Sequence, residues 1–288
     1  MLPKDFYQKV EDLNYLKHVL YSDTDSVYLC IPYPQDKEIE EKWNESIKIS
    51  EEINESIAKY LKNYVFKLGN IESSYNKTDF KTESLMDSIV FLPDTKKYYA
   101  YKLVVDEGKF LSPAKIKYKN IGIKSNTAKM SSQLLQSMLD DVVLNSEISY
   151  NQKINELNKV VDRFHQTFIK QIEQYQFMDI GIPNKWNKAA QIINAMKVYN
   201  MIMNKDVFGP GSAGLYVYCS FKNSSLFQNS DIDLKNLNTL AVPYNYDDKL
   251  LKEKMEEYNI EVNSQEHWNR CIFTTTCHKV IQSVKVNK

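Results

Sequence analysis

Apolar periodicity changes twice along this 288-residue chain, and the changes restrict what it can fold into. From Lys37 to Leu68, Ile39, Trp43 and Ile47 share one stripe of a 3.6-residue repeat, with Ile49, Ile53, Ile57, Tyr60 and Tyr64 close beside it. That spacing predicts one long amphipathic helix, closed by Gly69-Asn70. Between Asn70 and Lys119 the pattern turns to short runs, FKTESL, SIVFL, KKYYAYKLVV and KIKYK, punctuated by Pro93-Asp94 and Asp106-Glu107-Gly108. A helical stripe beside such a meander is buried most simply against one face of an antiparallel sheet. From Asn126 helical spacing returns, with Leu134, Leu135, Met138 and Val142 on one helix. Ile154, Leu157, Val160, Phe164, Phe168 and Ile172 mark the next. The expected class is α+β: an antiparallel sheet with a long backing helix over residues 1–120, then a mainly α-helical part over 121–288. The final third reads as a mixture of short helices and strands with no legible order.

Ahead of the long helix stands a further pair of strand-like runs, HVLYSDTDSVYLCIP at residues 18–32. His18 to Tyr21 and Ser26 to Ile31 are β-branched and aromatic, so the reversal between them is expected to be held by paired strands to which the first sheet adds. Asp, Ser and Thr are ordinary turn residues. This turn, however, has no Gly or Asn-Gly to ease it, and it presents Asp23 and Asp25 from one tip. Two neighbouring carboxylates suit a hard cation such as magnesium, which prefers oxygen ligands and shares them with phosphates. A calcium loop is excluded, because Pro34 stands where the bidentate glutamate is required.

Charge is balanced, 37 basic against 37 acidic residues, so a polyanionic partner has to be met by a local patch. Lys115, Lys117 and Lys119 recur at period two and form one candidate stripe for phosphates; a lysine-lined edge strand that resists aggregation is the competing reading. Lys96 and Lys97 put a cation on each face of their strand. Cys30, Cys219, Cys271 and Cys277 have no paired C-x-x-C spacing and are expected to be free thiols in a reducing compartment. No apolar run is long enough to span a membrane, and the first residues carry acids where a signal peptide has an apolar core. A cytoplasmic protein is expected, in the host cell if the gene is viral.

Three segments carry a resemblance. YSDTDS at 21–26 resembles the Y-G-D-T-D-S palm motif of family B DNA polymerases, with Ser22 in place of glycine. TKKYYAYKLVVDEGKF resembles that family's K-K-x-Y element, and KYKNIGIKSNTAKMSSQLLQ is similar to the palm-to-thumb passage of phage replicative polymerases. Order and spacing agree, the likeness being specific at the first two segments and weak after about residue 185. The resemblance implies the C-terminal portion of a palm followed by a thumb, and nucleotidyl transfer by two magnesium ions. Asp25 matches the family's metal-ligand aspartate and Asp23 its companion. Glu83 falls where relatives place a further acid, and Thr24 lies beside the incoming nucleotide. Tyr21, Lys96, Lys97 and Tyr99 match residues near the primer end. Lys115, Lys117, Lys119, Lys124, Ser125, Thr127 and Lys129 extend the implied DNA contacts toward the thumb. Implied partners are primer-template DNA, a deoxynucleoside triphosphate and a sliding clamp.

Other family motifs are missing from the sequence: D-x-x-S-L-Y-P-S with the second metal-binding aspartate, the fingers helix K-x-x-x-N-S-x-Y-G, and the D-I-E exonuclease motif. The expectation is therefore a split enzyme or a fragment, inactive alone, whose N-terminal polymerase segment supplies these parts. Two alternatives stay open. A noncatalytic DNA-binding accessory derived from a polymerase is disfavoured by the intact acidic pair. A glycosyltransferase could use Asp23-Thr24-Asp25 as a D-x-D grip, but would need a parallel-stranded nucleotide-binding domain.

Overall fold

The computed structural model describes residues 18–22, 26–34, 36–60, 80–93, 97–121, 127–185, 189–221 and 237–285. The chain forms two compact units: one runs through Ile89 and takes in Tyr101–Lys117, the other comprises Val90–Ala100 and Tyr118–Lys288. The fold is α+β with antiparallel sheets.

In the first unit, β1 (Val19–Ser22) and β2 (Val27–Leu29) form a two-stranded antiparallel ladder. Among the described residues this hairpin does not extend the neighbouring sheet, contrary to the sequence expectation. The strands are only four and three residues long, and their register shifts between Val19 and Tyr21. Such irregularity twists a strand and leaves little straight edge for a third. The three-stranded sheet runs β3 (Ser84–Phe91), β4 (Tyr99–Asp106), β5 (Lys109–Lys119), in that order. FKTESL and SIVFL thus contribute to a single strand, and KIKYK is the end of a longer one.

The backing helix α1 covers Ile39–Tyr60; the expected continuation to Leu68 and its Gly69-Asn70 stop lie outside the described residues. Glu40 and Glu41 in its first turn and Lys59 in its last complement the helix dipole. Ile49 is buried. Asn54 fixes the chain entering β3: its Nδ2 donates to the Phe80 carbonyl and its Oδ1 accepts from the Phe80 amide, both at 2.7 Å. The Thr82 hydroxyl donates to the Ser46 carbonyl at 2.9 Å, so this segment is tied along α1. Between β4 and β5, Glu107 and Gly108 have φ of 49° and 75°, the left-handed pair of a type I′ hairpin turn. A Cβ on Gly108 would stand 3.9 Å from the Trp43 ring, so the α1 stripe approaches this turn.

The second unit starts with α2 (Lys129–Ser137), which widens into a π-helical turn over Met138–Val143. Leu134, Leu135, Met138 and Val142, the stripe read from sequence, are all buried. Helix α3 (Tyr150–Glu173) opens on a capping box between Ser149 and Gln152 and buries Leu157, Val160 and Phe168. Four further helices follow: α4 (Ala190–Met203), α5 (Asp248–Glu257), α6 (Ser264–His267), which runs into a second π turn at Trp268–Ile272, and α7 (Thr275–Lys285). Helices predominate, but the unit also holds an antiparallel sheet that the sequence left unordered. Its strands are β6 (Ile182–Lys185), β7 (Ala213–Ser220) and β8 (Thr239–Val242) in that order, with β9 (Glu261–Val262) paired to the end of β7. The second unit is closed by long-range bonds. The Ser131 hydroxyl donates to the Ile272 carbonyl at 2.9 Å, and the Met130 amide donates to the Asp179 carbonyl at 2.8 Å.

Candidate functional site

The hairpin register pairs Tyr21 with Tyr28 and Ser22 with Val27, so the ladder closes immediately on both sides of residues 23–26. Asp23, Thr24 and Asp25 lie outside the described residues. Strand pairing continues outward, with the Cys30 amide donating to the His18 carbonyl at 2.7 Å. Tyr21 is half-buried, its ring 5.5 Å from that of Tyr28 and tilted by 49°. Two packed tyrosines across the last pairs stiffen the short hairpin where it meets its tip.

Glu83 is exposed just ahead of β3, and its carbonyl accepts from the Glu107 amide at 2.7 Å. Near Tyr28 lies a cluster on β4 and β5. Lys117 Nζ is 3.0 Å from Asp106 Oδ2. Burial raises the Tyr101 phenol, Lys117 lowers it, and Tyr28 and Asp106 raise it further. The hydrogen bond to Asp106 holds Lys117 above its ordinary value. Of the three lysines read as a stripe, Lys117 thus has a carboxylate partner, whereas Lys115 and Lys119 are exposed. Asp106 went unnoticed because it is eleven residues from Lys117, outside any local pairing rule. Lys102 has a similar partner in Asp87, at 3.2 Å.

In the second unit, Lys97 is exposed and its carbonyl accepts from Asn120 Nδ2 at 2.7 Å. Tyr99 is buried, 3 % exposed, with its ring 5.3 Å from Phe91. Alternation along the strand leaves Tyr98 as the outward ring, 43 % exposed. Lys96, Lys124 and Ser125 lie outside the described residues. Thr127 is half-buried ahead of α2, and the exposed Lys129 is 2.9 Å from Asp179 Oδ1. Tyr118, at the end of β5, donates a short hydrogen bond to Asp140 in the π-helical turn, and burial raises the Asp140 carboxyl. Sequence reasoning missed Asp140 and Asp179 because each acts through a tertiary contact.

The cysteines are free: Cys30 is exposed, and Cys219, Cys271 and Cys277 are buried. Burial pushes the Cys219 and Cys271 thiols up to about 12 and that of Cys277 to about 11, which makes them inert. Among the described residues no group of three or more His, Cys, Asp or Glu converges as a metal cluster. Among them, too, no helix is long and apolar enough to cross a membrane.

No protein-family model matches the chain. No curated protein matches it either. Among solved structures it is similar to the family B DNA polymerase from the hyperthermophilic archaeon Pyrobaculum calidifontis, with a TM-score of 0.47 and 12% identity. The match covers 97% of this chain and 27% of that one, so the chain spans about a quarter of that polymerase's length.

Proposed function

We propose that this chain is a palm and thumb portion of a family B DNA polymerase, acting with a polypeptide segment that supplies the second metal-binding aspartate and the fingers. One observation carries the reading: the β1–β2 ladder closes on Ser22 and Val27, flanking the Asp23-Thr24-Asp25 triplet of the polymerase-like motif. The donor set there is oxygen only, carboxylates beside the hydroxyls of Ser22, Thr24 and Ser26, and that fits magnesium. Bound magnesium would activate the primer 3′-hydroxyl and steady the leaving pyrophosphate. Asp25 is the direct ligand and Asp23 its companion, with Glu83 as a further acid and Thr24 beside the nucleotide. Tyr21 packs near the primer end. Lys97 with Lys96, Lys115, Lys119, Lys124 and Lys129 meets backbone phosphates, assisted by Ser125 and Thr127. Lys117 contributes less, because Asp106 already engages it.

The strand pairs recorded for the hairpin and for the sheet of the second unit are antiparallel, which speaks against the parallel nucleotide domain of a D-x-D glycosyltransferase. A noncatalytic DNA-binding accessory is the second reading. Primer extension by the purified chain, with and without a polypeptide bearing the missing motifs, separates the two. The polymerase reading expects no extension alone and extension on addition. Tight DNA binding that no such polypeptide converts into extension favours the accessory, and extension by the chain alone overturns the need for a second segment.

A further inference from the structure

Between α2, α3 and the turn before β6 the second unit has an open cleft of about 290 Å³ whose lining combines apolar and hydrogen-bonding groups. Met130, itself buried, and Phe164 line it with apolar surface. Gln171 and Asp179 provide acceptors: Gln171 Nε2 reaches Asp179 Oδ2 at 3.5 Å, which orients the amide. Gln171 Oε1 is left buried with no hydrogen-bond partner. A buried acceptor without a donor costs free energy, so a ligand that donates to it is favoured. Arg163 is exposed at the rim, its guanidinium 5.5 Å from the centre of the Phe164 ring.

The ligand has to satisfy all three features: neighbouring N–H donors at the inner end, a flat body against Phe164 and Met130, and an anionic group toward Arg163. We propose that this cleft binds a guanine nucleotide, with the base N1–H and 2-amino group donating to Asp179 and Gln171 Oε1 and the phosphate paired with Arg163. The volume is at the lower end of ordinary ligand sites, roughly 300 Å³, which suits one nucleotide. Thymine is the contrasting base, because its one ring N–H lies between two carbonyls that would face these acceptors like against like. A planar guanidinium also matches phosphate geometry and stacks on flat rings. The site is separate from the hairpin, and the inference does not depend on the polymerase reading.

Calorimetric titration of the full chain with GMP, TMP and inorganic phosphate tests this. GMP is expected to bind at one saturable site at least tenfold more tightly than TMP, and phosphate alone only weakly. Gln171→Met is expected to remove the preference for GMP over TMP. Arg163→Met, at an exposed position where folding is not at stake, is expected to weaken GMP by at least threefold. Equal affinity for GMP and TMP, GMP binding unchanged by Arg163→Met, or no saturable binding at millimolar nucleotide would each overturn the proposal.

Discussion

His267 Nε2 is 2.8 Å from the Ile180 carbonyl oxygen, and the His267 ring has no exposed surface. Its Nδ1 accepts from the Tyr218 amide at 3.3 Å, and Phe168 stacks on it with ring centres 5.9 Å apart. With Nε2–H donating and Nδ1 accepting, the neutral imidazole satisfies both partners. One ring therefore ties the turn before β6 to the centre of β7.

Burial lowers the His267 pKa to about 4, offset in part by the bond to Ile180. An unfolded histidine titrates near 6.5. Between these values the unfolded chain binds a proton that the folded chain does not, so stability falls as pH falls. The contribution is fully present above pH 6.5 and is lost toward pH 4, at about 1.4 kcal/mol per pH unit and roughly 3 kcal/mol in all. Asp140, raised by burial, acts in the opposite direction, so the raw curve mixes the two. His267→Gln keeps a donor for Ile180 and should flatten the slope between pH 6.5 and 4. Urea midpoints of both proteins across that range check this, and an unchanged slope would remove His267 as the cause.

Gly214 lies on β7 between β6 and β8, where a Cβ would meet the Val242 carbonyl at 2.8 Å and the Phe208 ring at 2.9 Å. Backbone cannot yield as a flexible side chain can. Gly214→Ala should destabilise by about 1–3 kcal/mol, the usual cost of overpacking. Gly209→Ala is the control, since nothing lies within 4 Å of the added methyl. It should be neutral or slightly stabilising through the unfolded state. Denaturant midpoints of the two variants should move apart, and equal midpoints would contradict the packing described.

The helical stripes were legible because each reports a single solvent-facing surface. Ile49 on α1 and Leu134, Leu135 and Met138 on α2 and its π turn are buried as their spacing requires. The type I′ turn at Glu107-Gly108 was legible as a turn cluster for the same local reason. The β6–β9 sheet was not. All of Thr239–Val242 in β8 is buried, so no alternation marks it, and β9 is two residues long. Pro183 argues against a strand at β6 until the topology makes β6 an edge, where proline is tolerated. At the candidate site, the lysines and the hairpin flanks were visible, but the carboxylates opposing those lysines were not. Asp106 and Asp179 meet Lys117 and Lys129 only through the fold.

That difference in partners sorts the lysines. Each phosphate contact should contribute about 0.9 to the slope of log affinity against log salt on duplex DNA. Lys115→Ala and Lys119→Ala should each flatten the slope by about that amount, without changing sequence preference. Lys117→Ala should do less, because Asp106 competes with phosphate for it. Lys117→Ala combined with Asp106→Ala should then resemble Lys117→Ala alone. Fluorescence anisotropy with primer-template DNA over a salt series measures all four, and slopes unchanged in the Lys115 and Lys119 variants would mean that these lysines only solvate an edge strand.

The sharpest test concerns the hairpin tip. If Asp25 is a direct magnesium ligand, Asp25→Asn in the enzyme reconstituted with its complementary segment should lower nucleotide incorporation by roughly a thousandfold or more. Losing one ligand forfeits several kcal/mol of charge stabilisation, at about 1.4 kcal/mol per decade. DNA affinity should hold, since the substitution removes a negative charge and leaves the lysines in place. Asp23→Asn should be milder if its role runs through water. Tyr28→Phe keeps the ring packed on Tyr21 and should leave incorporation within a few-fold, whereas Tyr28→Ala removes that packing and should lower it further. Single-turnover incorporation and DNA-binding measurements on the four variants separate ligand loss from loss of hairpin rigidity. Full activity in Asp25→Asn would end the metal assignment.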